Sequence, residues 1–139
     1  MKIKNRGYAV ENRMLRFFKG TPTSYDEVDF ETSTSLYEVK SCKLFNKCYN
    51  ANHRRPYKNK PHKKIETLQL GRFQITTDNH IMLYLRAIQL LKTPKYIFVL
   101  RVGNQFIFKV MKWEDIIVPN TKDYYHIPVR DIFGCDANE

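Results

Sequence analysis

Asp29, Glu38 and Lys40 are the residues of this chain whose types and spacing suit chemistry best. They lie in the stretch Val28 to Ser41, Val-Asp-Phe-Glu-Thr-Ser-Thr-Ser-Leu-Tyr-Glu-Val-Lys-Ser. Apolar and polar residues alternate on either side of a Thr/Ser-rich turn, the pattern of two short antiparallel strands. With the turn centred between Ser33 and Thr34, Asp29 falls opposite Glu38, their Cβ atoms roughly 5 Å apart. Two carboxylates so placed repel and destabilise the hairpin. A divalent cation between them reverses that sign, because hard ions such as Mg²⁺ take carboxylate oxygens. Alternation puts Leu36, Glu38 and Lys40 on one face and Tyr37, Val39 and Ser41 on the other. The Lys40 ammonium therefore comes about 7 Å beyond Glu38 on the same face. Glu-x-Lys alone is ordinary on a solvated strand; the matched position of Asp29 is what distinguishes this one.

The composition points to the partner. Lys and Arg number 24 against 14 Asp and Glu in 139 residues, a net charge of +10. For one small domain, spanning residues 1–139, this favours a polyanion, nucleic acid first and an anionic membrane surface second. No segment approaches the ~20 apolar residues needed to span a bilayer, and no signal-peptide pattern opens the chain. Three cysteines do not suggest a disulfide framework. An intracellular, cytoplasmic protein is expected.

The elements that must position the carboxylates can be read in order. Gly7 to Lys19 carries Val10, Met14, Leu15, Phe17 and Phe18 near helical spacing, with Gly20 and Pro22 as a stop. Glu11 lies on one edge of this helix with Leu15 and Phe18, which by itself describes a solvent-facing glutamate. From about residue 42 to 66 the chain turns basic, its positive residues interleaved with Phe45, Tyr49 and Tyr57. This predicts an inserted loop whose Arg54, Arg55, Lys58, Lys60, Lys63 and Lys64 contact phosphates. Cys42, Cys48, His53 and His62 within it match common zinc spacings poorly. Leu70 to Ile75 reads as a third strand, with Arg72 as a further basic contact. The next helix is capped at Thr77 or Asp78, and its core stripe is Ile81, Leu85, Ile88 and Leu91. Tyr96–Val102 and Gln105–Val110 flank Gly103-Asn104 as a hairpin of two buried strands. Residues 121–139 show no assignable pattern. The whole predicts an α/β fold with a central mixed sheet flanked by helices.

In this order of elements, with Asp29 followed by Glu38-Val39-Lys40-Ser41 and with Glu11 on the preceding helix, the chain resembles the PD-(D/E)XK, or restriction-endonuclease-like, nuclease superfamily. In compactness it is similar to archaeal Holliday-junction resolvases. Val28-Asp29 stands in the place of Pro-Asp, and the basic stretch from Asn46 to Lys64 is inserted where compact resolvases connect shortly. The resemblance, covering roughly Gly7 to Val110, implies a metal-dependent endodeoxyribonuclease, Holliday-junction-resolvase-like or restriction-type. Asp29 and Glu38 would hold Mg²⁺ (or Mn²⁺) with the Val39 carbonyl, and Glu11 would be an additional metal-site residue. Lys40 would orient the attacking water, and the product would carry a 5′-phosphate. Cutting both strands of a duplex favours a homodimer. The alternative is a non-catalytic nucleic-acid-binding protein, whose charges serve phosphate contact alone.

Overall fold

The computed structural model describes residues 6–49, 66–119 and 122–134. Helix α1 (Arg6–Phe17) precedes two two-residue strands, β1 (Thr21–Pro22) and β2 (Phe30–Glu31), and the long strand β3 (Ser35–Lys43). Strands β4 (Phe45–Tyr49), β5 (Glu66–Leu70) and β6 (Arg72–Thr76) follow, then helix α2 (Thr77–Leu90). Strands β7 (Thr93–Val102) and β8 (Gln105–Lys112), a 3-10 turn (Trp113–Asp115), β9 (Tyr124–Pro128) and short α3 (Val129–Phe133) complete the described chain. The central sheet has five strands in the order β1-β2-β3-β7-β8. β3 and β7 pair in parallel along their length, from Ser35↔Thr93 to Lys43↔Arg101, and the other pairs are antiparallel. The expected α/β architecture, a mixed central sheet flanked by helices, is therefore present.

Side-chain alternation divides the core into two layers. Tyr37, Val39, Ile97 and Val99 point to one face, where α1 covers them with Val10 and Met14. Leu36, Cys42, Tyr96, Phe98 and Leu100 point to the other, where Leu83 and Ala87 of α2, Phe73 and Ile75 of β6, and Val129 and Ile132 of α3 complete the packing. The β7–β8 turn is the two-residue Gly103-Asn104 loop, and Gly103 takes the positive φ (60°) that such a turn requires of its first residue.

Several expectations are corrected. The predicted third strand exists as β6, yet it pairs with β9, far along the chain, rather than joining the central sheet. Gly71 separates it from β5: a Cβ there would meet the Lys43 carbonyl at 1.8 Å, so the backbones cross too closely for any side chain. Residues 42–43 end β3 and residues 45–49 form β4, so the basic segment is mostly strand at its start rather than loop. β7 is buried as expected, whereas β8 is an edge strand exposed at most of its positions. Helix α2 is capped by Thr76, whose hydroxyl accepts from the Asn79 N–H, and not by Thr77 or Asp78. Its buried stripe is His80, Leu83 and Ala87, while Ile81, Leu85, Ile88 and Leu91 face outward. Among the described residues no helix is long and apolar enough to cross a membrane.

Candidate active site

The hairpin register is the one the sequence predicts. Phe30 pairs with Tyr37 and Glu31 with Leu36, so continuing one step sets Asp29 against Glu38. At that step the ladder changes. The Asp29 N–H donates to the Tyr37 carbonyl at 2.9 Å, and the Val39 N–H donates to Asp29 Oδ2 at 2.7 Å. A carboxylate thus takes the place of a backbone carbonyl beside β3, which fixes its direction. Because one residue's N–H and C=O leave a strand on the same side, the Val39 carbonyl also faces Asp29. Loop 23–28, which delivers Asp29, is clamped from α2. Arg86 Nε donates to Glu27 Oε1 at 3.1 Å, and its guanidinium lies 3.8 Å from the centre of the Tyr25 ring.

Glu38 emerges from β3 between Leu36 and Cys42, on the face covered by α2, and is buried. Lys40 Nζ lies 3.6 Å from Glu38 Oε1, while Glu38 Oε2 is buried with no hydrogen-bond donor. Burial is the largest influence on this carboxyl, followed by the Asp29 charge, and both push its pKa well above the usual range. Lys40 pulls it down; proton sharing with Asp29 and, most weakly, the Glu11 charge raise it further. An acidic group with a buried orphan oxygen, next to a second carboxylate and an ammonium, is an arrangement a divalent cation would relieve.

A neighbouring set of residues was not legible as functional in the sequence. Tyr96 stands beside Glu38 in the parallel register, and its hydroxyl lies 2.7 Å from His80 Nδ1. His80 is buried and stacked 4.3 Å from Trp113, whose indole N–H donates to the His80 carbonyl at 2.7 Å. Burial lowers the His80 pKa to about 4, against a smaller raising effect from its hydrogen bond to the Ile116 backbone. The neutral ring gives its one N–H to Ile116, so Nδ1 accepts from the tyrosine. The Tyr96 proton is therefore committed to His80 and is not offered to Glu38. Burial first, and Glu38 second, raise the Tyr96 pKa far above its ordinary value. The nearest hydroxyl is thereby turned away from the orphan oxygen. Glu-x-Lys spacing carries no trace of this, since the partners come from β7 and α2.

Asp29, Glu38, Val39 and Lys40 are thus brought together. Glu11, half-buried on α1, is close enough to act on Glu38 electrostatically. Among the described residues no three His, Cys, Asp or Glu side chains converge as a metal-binding group, so the described site offers a cation a pair of carboxylates. Arg72 is exposed on β6, paired across the strands with Pro128 of β9. Arg54, Arg55, Lys58, Lys60, Lys63 and Lys64 lie outside the described residues, as do His53 and His62. Cys42 is a free thiol in the core, its pKa pushed by burial to about 11, which makes it a poor zinc ligand. A cavity of about 770 Å³ lies elsewhere, between Val10 of α1 and the Lys43 and Arg101 ends of β3 and β7. No protein-family model matches this chain, and neither a curated protein nor a solved structure matches it at a significant level.

Proposed function

We propose that this protein is a metal-dependent DNA endonuclease with a restriction-endonuclease-like core, hydrolysing phosphodiester bonds at Asp29, Glu38 and Lys40. The observation that carries the reading is Glu38 Oε2, a buried acceptor without a donor, in a carboxylate pair with an ammonium alongside. In the absence of a cation that arrangement is costly, since a buried unsatisfied polar atom costs ~1–3 kcal/mol and a charged one more. The net charge of +10 supports a polyanionic substrate.

The residues fit Mg²⁺ or Mn²⁺. Asp29 and Glu38 would supply the carboxylate oxygens, the Val39 carbonyl would lie beside them, and Glu11 would reach the hydration shell. Magnesium keeps several waters and takes substrate phosphate oxygens, so two carboxylates suffice. When bound, such an ion lowers the pKa of a coordinated water and neutralises charge on the phosphoryl oxygens. The chain's own residues do the rest. The Val39 N–H holds Asp29 in one orientation, so the pair needs no rearrangement on loading. Lys40 orients the attacking water and stabilises the hydroxide it becomes, with Glu38 Oε1 keeping the ammonium in place. Water oxygen bonds to phosphorus as the bond to the 3′ oxygen breaks, leaving a 5′-phosphate and a 3′-hydroxyl. Arg72 and the basic residues from Arg54 to Lys64 hold the phosphate backbone outside the site.

The test is incubation with supercoiled plasmid and with a synthetic four-way junction, in Mg²⁺ and in EDTA. Nicking or linearisation that disappears with EDTA and in Glu38→Ala supports the proposal. A gel shift without cleavage in Mg²⁺ or Mn²⁺ overturns it in favour of a non-catalytic nucleic-acid-binding protein.

A further inference from the structure

β3 and β7 end side by side in parallel, and their final charged residues, Lys43 and Arg101, are direct neighbours in the register. Parallel strands run ~4.8 Å apart, so two cations on one face repel. Among the described residues no carboxylate pairs with either, and Arg101 Nε is buried without an acceptor. The situation is the reverse of that at Glu38: positive charge is gathered and left without an anion. Lys43 and Arg101 follow Val39 and Val99 by even steps, which puts them on the α1 face of the sheet, opposite Glu38. Lys43 also lies five residues beyond Glu38 along β3, roughly 17 Å away.

Both residues line the cavity of about 770 Å³, a size within the ~300–1,000 Å³ of pockets that take small molecules. The crevice outside the carboxyl ends of parallel strands is also where open α/β sheets bind ligands. Val10, Leu44, Phe45 and Phe106 supply apolar walls, Asn104 supplies an amide, and no acidic residue belongs to the described lining. The wall between the strands is fixed: the Leu44 N–H donates to the Arg101 carbonyl at 3.0 Å, and the Leu44 carbonyl accepts from the Gly71 N–H at 2.7 Å. Phe45 is 50% exposed, and the Arg13 guanidinium, 4.4 Å from the centre of the Phe106 ring, adds a third cation nearby. Cations beside an open aromatic ring suit a ligand with a phosphate at one end and a flat ring at the other. The phosphate takes charge-assisted hydrogen bonds, and the ring stacks. A fatty acid brings these cations one charge where a phosphate monoester brings nearly two. Inorganic phosphate would leave the apolar walls empty.

We propose that this cavity binds a nucleoside phosphate, with its phosphate on Lys43 and Arg101 and its base against Phe45. A free mononucleotide and the phosphorylated end of a single strand present this same chemistry. The site is separate from the carboxylate pair, so the inference does not depend on the nuclease reading.

Calorimetric titration of the full chain with dAMP in EDTA tests it, the chelator removing any metal-borne phosphate contact at Asp29 and Glu38. The expected result is saturable binding with a Kd of roughly 10–100 µM, the usual strength for a ligand of that size. Lys43→Gln should weaken dAMP binding about tenfold. Phe45→Ala should also weaken it about tenfold while leaving the binding of inorganic phosphate unchanged. Both side chains are exposed, so both variants should melt with the parent. A 5′-phosphorylated single strand of twelve residues that displaces dAMP assigns the ligand to a strand end; one that leaves dAMP bound assigns it to the free nucleotide. No saturable binding at 1 mM dAMP overturns the proposal. So does a Kd for inorganic phosphate, or for laurate, as low as that for dAMP. Binding indifferent to Lys43→Gln or to Phe45→Ala puts dAMP elsewhere on the basic surface and overturns it too.

Discussion

In EDTA, replacing Glu38 by Gln should stabilise the protein, and more so as pH rises. Ionised Glu38 has a buried oxygen without a donor and faces Asp29, with Lys40 3.6 Å away as the only offset among the causes acting on it. Its folded pKa lies above the ordinary 4.5, so the stability it contributes is complete below that value and is lost as pH climbs through the folded value. Two carboxylates at the roughly 5 Å spacing typical of directly opposed strand positions repel by about 3 kcal/mol at an effective dielectric constant near 20. Lys40 returns a similar amount. The orphan oxygen then leaves a net penalty of ~1–3 kcal/mol. A chain of this size unfolds with an entropy of about 0.3 kcal/mol per kelvin, so the penalty corresponds to ~3–10 °C. Differential scanning calorimetry in EDTA should therefore show Glu38→Gln gaining that margin over the parent between pH 5 and pH 8. At pH 8, added Mg²⁺ should raise the parent's melting temperature and leave the variant's unchanged. Parallel pH curves for the two proteins, with no response to Mg²⁺, would refute the strained carboxylate pair.

Three other outcomes are expected. Lys40→Ala should bind DNA and Mg²⁺ normally while single-turnover cleavage falls by ~10²–10³-fold, the usual loss for one preorganised electrostatic group; parent-like turnover would make Lys40 a plain strand residue. His80 is held neutral, with a pKa near 4, so the protein should lose up to about 3 kcal/mol in urea titrations as pH falls from 6.5 to 4, and His80→Phe should lose less. Replacing Arg54, Arg55, Lys58 and Lys60 with Ala should flatten the dependence of log affinity on log salt by roughly two to four units, while cleavage at saturating protein changes little.

The hairpin was legible because its information is local. Alternation from Leu36 to Ser41 assigns faces, and the Ser33-Thr34 turn fixes the register that opposes Asp29 to Glu38. Helix α2 was readable as a helix but not in orientation: Ile81, Leu85 and Ile88 make a more regular apolar stripe than His80, Leu83 and Ala87, and periodicity cannot say which stripe the sheet takes. The pairing of β6 with β9 joins residues some fifty positions apart, beyond any windowed pattern. At the site, residue types announced the carboxylates and the lysine. The Val39 N–H on Asp29 and the Tyr96 hydroxyl turned to His80 depend on how separate elements meet, so only the folded chain shows them. The first of these also makes Asp29→Asn a cleaner variant than Asp29→Ala, because it keeps an acceptor for a buried N–H while removing the charge.

The central claim is that Asp29 and Glu38 together hold a divalent ion. Crystals of the protein soaked in MnCl₂ and measured at the manganese absorption edge test it directly. The account predicts an anomalous peak within about 2.2 Å of carboxylate oxygens of both residues, lost in Glu38→Gln crystals treated alike. A map from well-soaked parent crystals with no peak between the two carboxylates would contradict it.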